Sequence, residues 1–103
     1  MTQEIISMIQ TGNQALINSD YLLATKLFNH VILVEPNNAI AHAGLAKALY
    51  HLRKIPEAKI AAEHALKLDD TLTETRIYLA YIHLFLNDDL NTGYLLAESA
   101  YKS

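Results

Sequence analysis

At 103 residues the chain has room for one compact domain, 1–103, and no more. Hydrophobic residues make up 51% and charged residues 18%, which excludes a disordered chain and leaves a core to bury. With no cysteine, disulfides, thiolate metal sites and cysteine nucleophiles are excluded, and a net charge of -3 argues against a nucleic-acid surface.

Ala, Leu and Ile dominate while glycine and proline are few, so the chain reads as all-α. Ile5, Met8, Ile9 and the stretch from Gly12 to Leu16 recur at helical spacing, and a first helix is expected to stop near Ile17. Asn18 tolerates the left-handed region, and the N-cap chemistry of Ser19-Asp20 starts a second helix, carrying Leu23, Leu27, Phe28, Val31 and Val34. Pro36-Asn37-Asn38 ends it, and Asn38 caps a third helix over 39–53. Pro56 suits the first turn of a fourth, which closes at Asp69-Asp70-Thr71. Thr71 and Glu74 have capping-box spacing for a fifth, and Asn87-Asp88-Asp89 separates it from a sixth. Six helices with such short connections are antiparallel neighbours.

The chain also repeats itself. Gly12, Ala46 and Ala80 stand thirty-four residues apart, as do Thr11, Leu45 and Leu79, then Ala24 and Ala58, Phe28 and Ala62, and Val31 and Ala65. Glu35-Pro36 becomes Asp69-Asp70 one period later. In the sixth helix the step lengthens by one, matching Leu90, Gly93, Ala97 and Ala100 to Ile55, Ala58, Ala62 and Ala65. Two helices and two turns fill each period, and neither helix buries its face alone. Small residues, Gly12 against Ala24 and Ala46 against Ala58, are expected at the close crossings, with Phe28, Val31, Ala62 and Ala65 packing onto the next repeat.

On these residues the chain resembles the tetratricopeptide repeat family, in three units over 5–38, 39–72 and 73–103. The first carries Gly12, Asp20-Tyr21, Ala24, Phe28 and Pro36 in the family's slots, whereas its early bulky aromatic is replaced by Met8, His42 and Arg76, and its later tyrosine by Ala15, Leu49 and His83. The related RNA-reading helical repeats fit less well, lacking here a basic groove. The resemblance implies an α-solenoid, a right-handed superhelix whose concave face is built by the first helix of each pair. The groove would be lined by Ile6, Ile9, Asn13 and Leu16, by Ile40, Ala43, Lys47 and Tyr50, and by Glu74, Ile77, Tyr81 and Leu84. If the helix rotation differs by one residue, some of these are core instead. Members that grip the acidic tails of chaperones use lysine, asparagine and arginine. Of that set only Asn13 stands here, with Ile9, Gly44, Glu74 and Tyr78 in the other places, so a carboxylate clamp is not expected. Lys47 and Arg76 would still pair with one acidic group.

The expected sixth helix ends the array with Leu90, Tyr94 and Tyr101 on a face its own chain leaves uncovered. Either the sequence is a piece of a longer one, or a partner or a second copy in a homodimer covers that face, or it sits half exposed. His30, His42, His51, His64 and His83 include no pair three or four apart, so no single helix offers two metal ligands, although pairs between helices stay open. His42 and His83 fall in packing slots and Glu63-His64 on the surface, while Asp69-Asp70 and Asp88-Asp89 mark helix ends. No glycine-rich loop or nucleophile elbow is present, so no enzyme, metal or cofactor is expected. The first four residues lack a basic leader and no apolar run reaches membrane length, which places the expected protein in the cytoplasm. The function expected is a protein-interaction module, chaperone-like in architecture, that binds a peptide or amphipathic helix by apolar burial, with Asn13, Lys47 and Glu74 fixing register. Its rival is a structural homo-oligomerisation element without a separate ligand.

Overall fold

Five helices occupy residues 2–86, the part of the chain that the computed structural model describes. They are α1 (Gln3–Ile17), α2 (Tyr21–Val34), α3 (Ala39–His51), α4 (Ile55–Leu68) and α5 (Thr73–Leu86). No strand occurs among the described residues. The expected turn at Asn87-Asp88-Asp89, the sixth helix and the face of Leu90, Tyr94 and Tyr101 lie outside them.

Local chemistry sets the helix starts. The Thr2 hydroxyl accepts from the Ile5 amide at 3.2 Å, the Asp20 carboxylate from Leu23 at 3.3 Å and the Asn38 amide oxygen from Ala41 at 3.1 Å. Pro56 stands in the first turn of α4, where its missing N–H costs nothing. The capping box expected of Thr71 and Glu74 does not form. Thr71 gives both its hydroxyl, at 2.5 Å, and its amide, at 3.0 Å, to the Asp69 carboxylate, and α5 begins only at Thr73. With the helix starting two residues later, Thr71 stands outside the N-cap position and its hydroxyl is donated to the nearby ionised acceptor.

The two inner helix ends repeat one motif. The left-handed residue after α1 is Ser19, with φ 61°, and not Asn18. One period later Arg53 holds φ 65°, which stops α3 at His51, short of the expected 53. In both, the next amide returns to the last turn, Asp20 to the Ala15 carbonyl at 2.8 Å and Lys54 to Leu49 at 2.9 Å. These bonds satisfy carbonyls that would otherwise be orphaned and offset the left-handed conformation, which costs about 1–2 kcal/mol in an L-residue.

Packing gives the array its curvature. Consecutive helices pack as pairs, α1 also meets α3, and α3 meets α5, whereas α2 and α4 stay apart. The inner face is therefore α1, α3 and α5. Its first interface is filled by Phe28, fully buried, in one cluster with Ile5, Ile9, Ala24, Val31, Ala41 and Ala48. The end of that ring lies between Gly12 and Gly44: a Cβ would stand 2.8 Å from ring carbon Cζ at the first and 2.5 Å at the second. Glycine at both positions is what lets a phenyl ring span the repeats. The second interface is shallower, built by Ala46, Leu49, Ile55, Ala58, Ala61, Ala62, Leu79 and Ile82. There Ala62 replaces Phe28 and Tyr78 replaces Gly44, so the bulk moves to the inner helix.

Candidate functional site

The inner face opens into a cavity of about 580 Å³. α1 contributes Asn13, Leu16 and Ile17, α3 contributes Ile40, Ala43, Gly44 and Lys47, and the fifth wall runs from Thr71 to Thr75. Of the groove residues expected from sequence, Asn13, Leu16, Ile40, Ala43, Lys47 and Glu74 meet here. Ile6, Tyr50, Ile77, Tyr81 and Leu84 do not line it. Ile9 requires a correction: only 8% exposed, it belongs to the core beside Ile5. The buried stripe of α1 runs Ile5, Ile9, Gly12, Ala15, and this spacing turns Ile9 inward. Ile17, Gly44, Thr71, Leu72, Thr73 and Thr75 were not among the groove residues expected from sequence. Ile17 had been read as a helix end, yet it is 75% exposed and apolar beside the groove.

Polar groups on this face engage one another. Lys47 Nζ lies 3.3 Å from Glu74 Oε1, joining α3 to α5, so the two residues expected to hold a ligand hold each other. Lys47 is 29% exposed and Glu74 70% exposed, a pair worth no more than about 1 kcal/mol. The Lys47 ammonium also sits 5.8 Å from the centre of the Tyr78 ring. Arg76, expected to pair with an acidic group of a ligand, donates to the Asp70 carbonyl.

Beside the ion pair lies an aromatic cluster drawn from three helices. Tyr21 of α2 stacks on His51 of α3 with ring centres 4.6 Å apart, and the Tyr78 hydroxyl of α5 is 2.9 Å from His51 Nε2. Tyr50 meets Tyr78 edge-on at 5.3 Å, and Tyr81 adds its ring at 6.2 Å from Tyr78. Burial, followed by the Glu74 charge and the neighbouring tyrosines, pushes the Tyr78 phenol up to about 12. Desolvation, then Lys47 and Arg53, lowers His51 below its ordinary value. With the phenol held neutral and the imidazole biased towards its neutral form, the two share one hydrogen bond whose donor is set by the His51 tautomer.

Two further cavities flank the inner helices. One, of about 510 Å³, lies over the helix connections and is lined by Glu35, Pro36, Asn37, Asn38, Ala39, Ile40 and Asp69. The other, about 300 Å³, fills the gap between α2 and α4, with His42, Leu45 and Leu49 of α3 also on its walls. There His42 and His64 stack at 4.1 Å, a partnership between helices for the residue read as a surface histidine. His42 Nε2 is 2.7 Å from the Pro36 carbonyl and donates to it. Among the described residues no group of three His, Cys, Asp or Glu side chains could hold a metal ion. Nor is any described helix long and apolar enough to cross a membrane.

No family model matches the sequence. The structure is similar to the second TPR of Spaghetti (RPAP3) bound to HSP90 peptide SRMEEVD, with a TM-score of 0.87 and 24% identity over 96% of this chain and 91% of that one. It is also similar to the TPR2B domain of yeast Sti1 in complex with an Hsp70 peptide, with a TM-score of 0.85 and 20% identity over 96% of this chain and 81% of that one. These likenesses show the fold, that of a tetratricopeptide-repeat domain. In sequence, 58 residues are 40% identical to the small glutamine-rich tetratricopeptide repeat-containing protein 2 of Saccharomyces cerevisiae. That match takes in 56% of this chain and 17% of the yeast protein, so the chain spans a small part of its curated relative.

Proposed function

We propose that the chain is a three-repeat binding module that takes a segment of a partner protein on the face formed by α1, α3 and α5. The observation that carries this reading is the cavity of about 580 Å³ on that face, walled by Leu16, Ile17, Ile40 and Ala43 and open to solvent at Ile40, 48% exposed. Exposed apolar side chains on a preformed concave surface cost stability and are repaid when a ligand covers them. Peptide complexes of domains with the same fold, the HSP90 and Hsp70 peptide structures, support it. The mechanism is burial of apolar anchors, with Asn13, Lys47 and Glu74 on the rim setting register. The setting is chaperone-associated, as in those domains.

The test is peptide-array binding followed by anisotropy titration of the strongest ligand against the chain and its Ile40→Asp variant. Circular dichroism should be unchanged in the variant and affinity should fall by about tenfold or more, as for loss of one buried anchor. Failure of every apolar-anchored peptide to bind would refute the reading.

A further inference from the structure

The partner's charge is decided around the groove, if the inner face does bind a peptide as proposed above. The main cavity and the one over the helix connections adjoin at Ile40. Its charged side chains are Glu74 in the first, Glu35 and Asp69 in the second, and Lys47. Lys47 is held by Glu74 and largely covered, whereas Glu74 keeps 70% of its side chain exposed. An incoming segment therefore meets three carboxylates against one cation, an excess of negative charge, with Glu74 the more exposed member of the ion pair.

The two ledge carboxylates are fixed in place. Glu35 Oε1 accepts from the Asn38 amide at 3.1 Å, and Asp69 Oδ1 from the Thr71 amide at 3.0 Å. The Thr71 hydroxyl and amide hold the Asp69 carboxyl below the usual carboxylate range, so it is ionised whenever a ligand arrives. Glu35 and Asp69 occupy equivalent places one repeat apart, which makes the ledge a product of the periodicity. The N-terminus of α3 opens on the same ledge and opposes them with at most about half a positive charge. Near Glu74, the Tyr78 ring already receives one ammonium, that of Lys47 at 5.8 Å.

We infer that the groove selects a partner segment with an apolar anchor flanked by lysine or arginine, and discriminates against an acidic one. The anchor lies against Leu16, Ile40 and Ala43, and the basic side chains reach Glu74 and the Glu35–Asp69 ledge. The preference is opposite to the charge of the SRMEEVD peptide seen with a domain of the same fold.

Fluorescence anisotropy on the full chain tests this with three labelled, C-terminally amidated heptapeptides. They are Ser-Arg-Met-Glu-Glu-Val-Asp, its acid-free ("neutral") form with glutamine and asparagine for the acids and only the arginine charge left, and its basic form with lysine for all three. The basic peptide should bind about tenfold tighter than the acidic one, with the neutral one between, and the preference should fade in high salt. Glu35→Gln with Asp69→Asn should bring the affinities together. Salt dependence on the unsubstituted chain keeps the test independent of how that variant folds. Equal binding, or tighter binding of the neutral or acidic peptide, would overturn the charge preference and leave the groove reading standing. If the basic preference persists undiminished in high salt, or in the folded double variant, the carboxylates are not its source. Binding of none of the three, while an unrelated apolar peptide binds, would also remove the inference alone; binding of no peptide at all would remove both.

Discussion

Alanine at position 44 separates two opposing effects. In an exposed helix, Gly→Ala stabilises by about 1 kcal/mol through backbone entropy. Here the new Cβ would stand 2.5, 2.6 and 2.8 Å from three ring carbons of Phe28. That ring is fully buried, and Gly12 closes off its retreat on the α1 side. Overpacking of this kind costs about 1–3 kcal/mol, and three contacts below van der Waals distance with no free space place it at the upper end. Gly44→Ala is therefore expected to destabilise by a net ~1–2 kcal/mol, lowering Tm by about 4–15 °C in a domain of this size. Urea and thermal denaturation followed by circular dichroism measure it. Gly12→Ala should be milder, because its nearest ring distances are 2.8, 3.1 and 3.1 Å. In a Phe28→Leu background the obstacle shrinks, so Gly44→Ala should become neutral or stabilising. The reasoning is refuted if Gly44→Ala raises Tm in the unsubstituted chain, or if the two substitutions add within about 0.5 kcal/mol.

Asn38→Ala removes the cap on the Ala41 amide and the tie to Glu35 together, and should cost about 1 kcal/mol in urea denaturation. Ile9→Asp should abolish cooperative unfolding by placing a carboxylate in the core, whereas Ile40→Asp should keep its full helical circular dichroism. His51 titrates below its ordinary 6.5 in the folded chain, so below that pH the unfolded chain takes up the proton first. Its stabilising contribution is present above 6.5 and lost as pH falls through the folded value; urea midpoints should decline over that window and decline less in His51→Gln. Tyr78 works in the other direction: raised from 10.0 to about 12, it contributes below pH 10 and loses that contribution as pH climbs through 12. Tyr78→Phe should remove a component near 12 from the tyrosinate absorbance titration.

Much of the fold was legible because its signals are local. Asp20, Asn38 and Pro56 act on amides within a few residues of themselves, so their chemistry reads directly as helix starts. Where two local arrangements were open, sequence alone could not rank them: Thr71 has Glu74 three residues ahead and Asp69 two behind, and its amide and hydroxyl both donate to Asp69 while α5 starts at Thr73. The left-handed position behaved similarly. Asn18 has the better intrinsic tolerance, but the hydrogen bonds that return to Ala15 and Leu16 require the turn to fall on Ser19.

The site was less legible, because a repeat says which residues are equivalent and not which ones touch. Contact between inner helices depends on how far one slides along the next. The structure supplies that offset: Lys47 meets Glu74 and His51 meets Tyr78, both 27 residues apart. This is seven residues short of the period, so neighbouring inner helices are displaced by about two turns, ~10 Å, from the register that equivalence suggests. The same 27-residue spacing separates Asn13 from Ile40, Leu16 from Ala43, and Ile17 from Gly44, and all six line the main cavity. It explains why the C-terminal end of α1 belongs to the site while the early α1 residue Ile6 does not. It also explains why Ile17, outside the expected groove, stands at its wall. Gly44 sits between core and groove: the place its side chain would take is filled by the Phe28 ring, and the residue itself lines the main cavity.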